Sequence, residues 1–241
     1  MWQARLVVLR LRRALLFYLL MVSGLFRCRW SLDAHGKGAA TNFRIENASS
    51  TRIAFQVSVL TCDLDEDGRE TNRPANELFN LFPRQGILEP GAKQTIRVVW
   101  RGPSNPEREQ AYRLVAEQLT VDFAREQKRV HIQILLRYMA AVYVRPKNAK
   151  PILEVIDCSR TPTNTYVLSV TNKGNGRYQF RNPRLQLTDS FGKTYKVPAE
   201  ILDTLQGSSV FPHRRRRFIL NLPGEFTEQS YTPRLLEMSD P

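Results

Sequence analysis

Every even-numbered residue from Val130 to Val144 is apolar: Val130, Ile132, Ile134, Leu136, Tyr138, Ala140, Val142 and Val144. The odd-numbered face between them is mixed, with His131, Gln133, Leu135, Arg137, Met139, Ala141 and Tyr143. Strict alternation is the signature of a β-strand. At about 3.3 Å per residue such a strand runs roughly 50 Å, far beyond the usual length. A stripe this long raises the question of what it buries itself against.

The rest of the chain repeats the alternation in shorter segments. Phe43–Glu46 leads into the turn cluster Asn47-Ala48-Ser49-Ser50, and Ile53–Leu60 alternates with many β-branched residues. Pro83, Pro90 and Gly91 frame turns before a strand from Gln94 to Trp100, and GPSNPERE (102–109) is a further loop. The acidic stretch CDLDEDGRETN (62–72) lacks a glutamate at calcium-loop spacing and reads as a solvated hairpin. Before residue 146 no amphipathic helix longer than two turns is apparent. Strands at roughly ten-residue intervals, broken by turn chemistry, indicate a sandwich or barrel.

Arg145-Pro146-Lys147-Asn148-Ala149-Lys150-Pro151 is the linker candidate, because two prolines and three basic residues do not continue a sheet interior. Beyond it strands are expected at Ile152–Asp157, Tyr166–Asn172, Arg184–Thr188, Thr194–Val197 and Arg217–Leu222, with a tight Asn/Gly turn in TNKGNGRYQF (171–180). The expected architecture is all-β, with a first domain over 25–146 and a second over 147–241.

A leader is expected ahead of them. Arg5, Arg10, Arg12 and Arg13 precede the thirteen-residue uncharged run Ala14–Phe26, too short for a membrane span but suited to a signal peptide ending near Gly24. Cleavage there removes four arginines and lowers the net charge from +13 to +9. Excess positive charge raises the question of nucleic acid, and Arg214-Arg215-Arg216-Arg217 is the densest block. Aromatic interleaving around it is thin, export argues against nucleic acid, and the block reads as a loop and strand start with its outward members solvated.

Catalytic and metal signatures are missing. The histidines His35, His131 and His213 form no H-x-x-x-H pair, and there is no C-x-x-C, G-x-S-x-G elbow or P-loop. No catalytic residue, metal or cofactor is expected. Of Cys28, Cys62 and Cys158, a Cys62–Cys158 bridge is one open arrangement, and at least one thiol is left over.

The motifs in order are the Asn47 turn, FPRQGILEPGAKQTIRV (82–98), YRLVAEQL (112–119), the stripe ending in Arg145-Pro146, NKGNGRY (172–178) and VFPHRRRRF (210–218). In this order and spacing the chain resembles the periplasmic chaperones of chaperone–usher pilus assembly, from about Trp30 to Arg217. The Arg137-Tyr138 pair is similar to the archaic branch of these systems. The resemblance implies two immunoglobulin-like β-sandwich domains joined by a short linker, behind a signal peptide, and a periplasmic location. It also implies a non-enzymatic function: donating part of the last first-domain strand to a pilin subunit and delivering that pilin to an outer-membrane usher. Counting back from Pro146, the implied donor positions are Val130, Ile132, Ile134 and Leu136. Left empty, such an edge invites self-association.

Members of this family hold the pilin's C-terminal carboxylate with a basic pair, an Arg near the start and a Lys on the donor strand. The ungapped count places Ala141 at the lysine position. Arg29 and Arg137 are then the candidate anchors, with Arg137 about 13 Å up the strand from Ala141. The alternative to a chaperone is a secreted structural or adhesive β-sandwich that uses the whole stripe as its own core.

Overall fold

The computed structural model describes residues 29–120 and 135–236. Ten strands make up the first half: β1 (Arg29–Asp33), β2 (Ala40–Glu46), β3 (Ile53–Thr61), β4 (Asp63–Leu64), β5 (Glu70–Thr71), β6 (Phe79–Phe82), β7 (Gln85–Leu88), β8 (Lys93–Trp100), β9 (Gln110–Leu119) and β10 (Arg137–Arg145). A five-stranded sheet in the order β1-β10-β9-β3-β7 faces a three-stranded sheet β2-β8-β6. All these neighbours are antiparallel except β1 and β10, which run parallel.

Period-2 burial explains which residues meet between the sheets. Phe43, Ile45, Phe79, Leu81, Ile96, Val98 and Trp100 come from the smaller sheet, and Leu32, Phe55, Val57, Val59, Tyr112, Leu114, Ala140, Val142 and Val144 from the larger. The Asn47 turn is closed by its own side chain. Asn47, fully buried, donates to the carbonyls of Thr51 and Leu88, and its Oδ1 accepts from the backbone N–H of Ser49.

The second half carries β11 (Leu153–Arg160), β12 (Tyr166–Asn172), β13 (Tyr178–Gln179), β14 (Arg184–Thr188), β15 (Thr194–Lys196), β16 (Ser209–Val210), β17 (Arg214–Leu220) and β18 (Ser230–Leu236). Its main sheet has the order β15-β14-β18-β11-β12-β17, and β13 and β16 pair separately. β18 pairs with β11 through Ser230 and Tyr231, then with β14 from Thr232 to Leu236, so it passes from one part of the sheet to the other. A separate core forms here around Tyr166, Leu168, Val170, Phe180, Leu185, Leu187, Phe218 and Leu220. Among the described residues the two cores share no residue and no sheet joins them.

Two departures from the sequence expectation have plain causes. β17 begins at Arg214 rather than Arg217, because the arginine run itself pairs with Asn172–Ser169 of β12. β18 was not expected, since Pro233 breaks a strand pattern. The proline is tolerated because β18 has lost β11 as a neighbour after Tyr231. Cys62 and Cys158 do not pair: both are free and buried, one near Phe211 and Tyr143, the other in the second core.

The segment between β10 and β11 is seated by the Asn/Gly turn after β12. Asn175 Oδ1 accepts from the N–H of Lys150 at 2.8 Å, and Asn172 Oδ1 from that of Ile152 at 3.1 Å. A Cβ on Gly174 would lie 2.2 Å from the carbonyl oxygen of Lys150, so glycine is required for this approach.

Candidate functional site

β10 is bordered by β9 along its length, with Arg137 opposite Glu117 and Val144 opposite Gln110. On its other side β1 pairs only from Ala141, opposite Arg29, to Arg145, opposite Asp33. Among the described residues β1 thus stops short of the Arg137–Ala140 part of β10. Leu136 continues the strand direction, its carbonyl accepting the N–H of Gln118 at 2.9 Å.

The even-numbered row changes character along this strand. Val144, Val142 and Ala140 are buried in the core. Tyr138 and Leu136 are half-buried and line a groove with Ile45, Ile53, Phe55 and Leu88 at the end of the sandwich. On the odd-numbered face Leu135 and Met139 are exposed, at 47% and 43%. That leaves apolar side chains on both faces of an open edge, a combination that isolated proteins avoid.

Of the candidate donor residues, Leu136 stands at this groove, and Val130, Ile132 and Ile134 lie outside the described residues. The two candidate anchors are not brought together. Arg29 is in register with Ala141 through its backbone. Arg137 is four positions earlier, with its Nε 3.8 Å from Glu117 Oε2 across the β9 pairing.

The odd-numbered face of the other end of β10 lies under the second half of the chain. Tyr143 is buried beside Cys62 and Phe211, and the Arg177 guanidinium lies 4.1 Å from its ring centroid. Glu109, whose side chain is only 4% exposed, receives two cations: Arg145 at 3.6 Å and Arg177 at 3.5 Å. It also accepts the backbone N–H of Arg177 at 3.0 Å, and its own N–H donates to the carbonyl of Asn175 at 2.8 Å. A carboxylate buried this deeply is sustained by such paired charge.

Beside Ala141 on β9 is its register partner Arg113, which holds Glu70 with two side-chain hydrogen bonds, Nε to Oε1 at 2.9 Å and Nη2 to Oε2. Burial alone would raise the Glu70 carboxyl, but the Arg113 hydrogen bonds and charge prevail and lower it. The adjacent Cys62 thiol is pushed up to about 12, chiefly by burial.

Two stretches that read as bland in the sequence prove to be partners. The acidic hairpin β4–β5 meets the arginines of β17: Asp63 pairs with Arg214 at 2.6 Å, and Asp67 with Arg217 at 2.9 Å. Arg216 is buried, its guanidinium so close to Gly68 that a Cβ there would lie 2.3 Å from Nη2. Neither stretch is simply solvated. Nothing local signals the match; only the opposite charge of two distant loops could have suggested it.

Residues 29–150 match the family model for the pili and flagellar-assembly chaperone, PapD N-terminal domain. The chain belongs to this family. No curated protein matches it by sequence. Among solved structures, the complex of the CsuC chaperone and CsuE tip adhesion subunit, from archaic chaperone–usher Csu pili of Acinetobacter baumannii, matches with a TM-score of 0.53. The identity is 16%, covering 82% of this chain and 87% of that one. The Escherichia coli chaperone DraB matches with TM-score 0.52 and 16% identity, over 88% of this chain and 94% of that one. The Salmonella enterica SafA pilin–SafB chaperone complex gives 0.52 and 19%, with 82% of each chain covered. The two sandwiches of this chaperone-family chain are thus immunoglobulin-like domains.

Proposed function

We propose that this protein is a periplasmic, non-enzymatic chaperone that caps pilin subunits by strand addition along β10 and hands them to an outer-membrane usher. The observation that carries the reading is that β1 pairs with β10 only from Ala141 onward, ahead of which an alternating apolar row leaves the core. Backbone groups on that edge supply affinity for an added strand, and alternate side chains fill its pockets. Val130, Ile132, Ile134 and Leu136 are the proposed donor side chains, each worth about 1.5–3 kcal/mol when fully buried. Two of the matched structures are chaperone complexes, one with a pilin and one with a tip adhesion subunit. The Arg137-Tyr138 pair favours the archaic branch.

The edge also bears on polarity. β1 runs parallel to β10 and occupies the edge from Ala141 onward. A strand added ahead of it in the same direction ends, C-terminus first, against the row of Arg29 and Ala141. Arg29 is therefore the anchor this geometry favours for a terminal carboxylate, while Arg137 stands four positions away. Without a pilin, a second copy of the chain covering the open edge is the expected state at high concentration.

Co-expression with a pilin from the same gene cluster tests the reading. The wild-type chaperone should keep the pilin soluble and co-purify with it. Ile134→Asp should lose the pilin while its own unfolding midpoint stays unchanged. An Ile134→Asp protein that unfolds places the stripe in the chain's own core and sinks the donor assignment.

A further inference from the structure

β17 is the end strand of the second-domain sheet, paired on one side to β12. The N–H of Arg217 points the other way, where the carbonyl of Glu66 accepts it at 2.7 Å. Backbone groups alternate in direction along an antiparallel strand, so those of Ile219 face the same outer side. Ile219 is itself 63% exposed. Glu66 thus stands where the first residue of an added strand would, and β17 continues past it to Leu220.

A groove of about 670 Å³ touches inward-facing Arg216 and Phe218 as well as outward-facing Arg217 and Ile219, so it lies along the edge of β17 rather than on one face. Val167, Phe218 and Ile219 make its apolar wall. Its carboxylate, Asp67, is engaged by Arg217 at 2.9 Å and Arg69 at 3.7 Å.

Arg216 is the cation of this groove that lacks a close counter-charge. It is 8% exposed, its Nη1 donates to the carbonyl of Ser209 at 2.9 Å, and its buried Nε has no partner. The hairpin carboxylates pair with its neighbours instead, Asp63 with Arg214, and Glu66 and Asp67 with Arg217. Burial pulls the Arg216 guanidinium below the ordinary arginine value, and the charges of Asp65 and Asp67 offset only part of this. A buried donor without an acceptor calls for one, and a carboxylate is the acceptor that suits a guanidinium best.

We propose that the outer edge of β17 is a docking site for an extended peptide segment with an acidic residue between apolar ones, its backbone continuing the line begun by Glu66 and its carboxylate meeting Arg216. Strand alternation then turns the flanking apolar side chains to the opposite face, against Ile219 and Val167. The site is separate from β10, and its failure leaves the chaperone reading untouched.

The test uses the full chain and two synthetic peptides of alternating valine and threonine with blocked termini, one with a central glutamate and one with glutamine. Fluorescence anisotropy reads affinity, and amide exchange reads the place of binding. The wild-type protein should bind the glutamate peptide about tenfold more tightly, the scale of one charge-assisted hydrogen bond, with new protection at Ile219. Arg216→Met leaves no charge in the pocket and should remove this preference while the glutamine peptide binds as before. Ile219→Pro removes an outward N–H and no bond to β12, and should weaken both peptides. Equal affinity of the two peptides for the wild-type protein, or a preference that survives Arg216→Met, overturns the carboxylate contact and with it the proposal. No binding, binding without protection at Ile219, or binding unchanged by Ile219→Pro overturns the edge as the site.

Discussion

Arg217 of the second domain donates its backbone N–H to the carbonyl of Glu66 in the first, at 2.7 Å. A first-domain hairpin thus bonds to the middle of β17, a strand also paired to β12. Side-chain pairs surround this contact, but Arg217 and Asp67 are both more than two-fifths exposed. Arg217→Ala should cost less than about 1 kcal/mol in denaturant unfolding, because exposed pairs are weak and screened.

Glu109 makes the opposite case. It is buried between Arg145 and Arg177, and Arg177 is itself only 11% exposed. Glu109→Ala strands those cations and should destabilise the protein by about 3 kcal/mol. An effect as small as that of Arg217→Ala would show that water reaches this junction freely.

Gly174 and Gly91 separate two reasons for glycine. Gly91 has φ +73° with open space around its missing Cβ, so Gly91→Ala should cost only the left-handed backbone penalty, about 1–2 kcal/mol. Gly174→Ala drives a methyl group into the backbone of Lys150 and Ile152. It should cost more and also loosen the linker, read as faster proteolysis between residues 146 and 152.

The same contrast shows what the sequence carries. Alternation placed β3, β12 and β14 almost to the residue, because each has one face in a core and a less deeply buried face opposite. The seat of the linker on Asn172, Gly174 and Asn175 was visible only as a turn, since its partner lies some twenty residues earlier. The clamp on Glu109 was invisible. Nothing in GPSNPERE sets Glu109 apart from Glu107, and the arginines that neutralise it come from β10 and from beyond β12. Arg29 and Ala141 were paired only through the family resemblance, and the third member of their row, Arg113, appeared merely as part of a motif.

Cys62 and Cys158 are both pushed up to about 12 by burial. The folded state therefore holds the thiol proton more tightly than the unfolded chain. Their contribution to stability is complete below the ordinary thiol range and is lost as pH rises through it towards 12. At pH 8 a maleimide should modify neither thiol until denaturant is added, as mass spectrometry of proteolytic peptides, which separates both from Cys28, would read. Rapid modification of Cys62 or Cys158 in the native protein would contradict their burial.

Glu70 has the reverse sign. Its carboxyl is lowered, so its contribution is present above the ordinary glutamate range and is lost as pH falls through that range and below. Glu70→Gln should flatten this part of the acid limb of the stability–pH curve. An unchanged limb would mean that the Arg113 pair contributes nothing net.

Amide hydrogen exchange along β10, measured for the free chaperone and for its complex with a pilin, tests strand addition most directly. New protection should appear on the outer edge at Arg137–Ala140, while Val142–Arg145, already paired to β1, should change little. A stable complex in which Arg137–Ala140 exchange as fast as in the free protein would contradict the account.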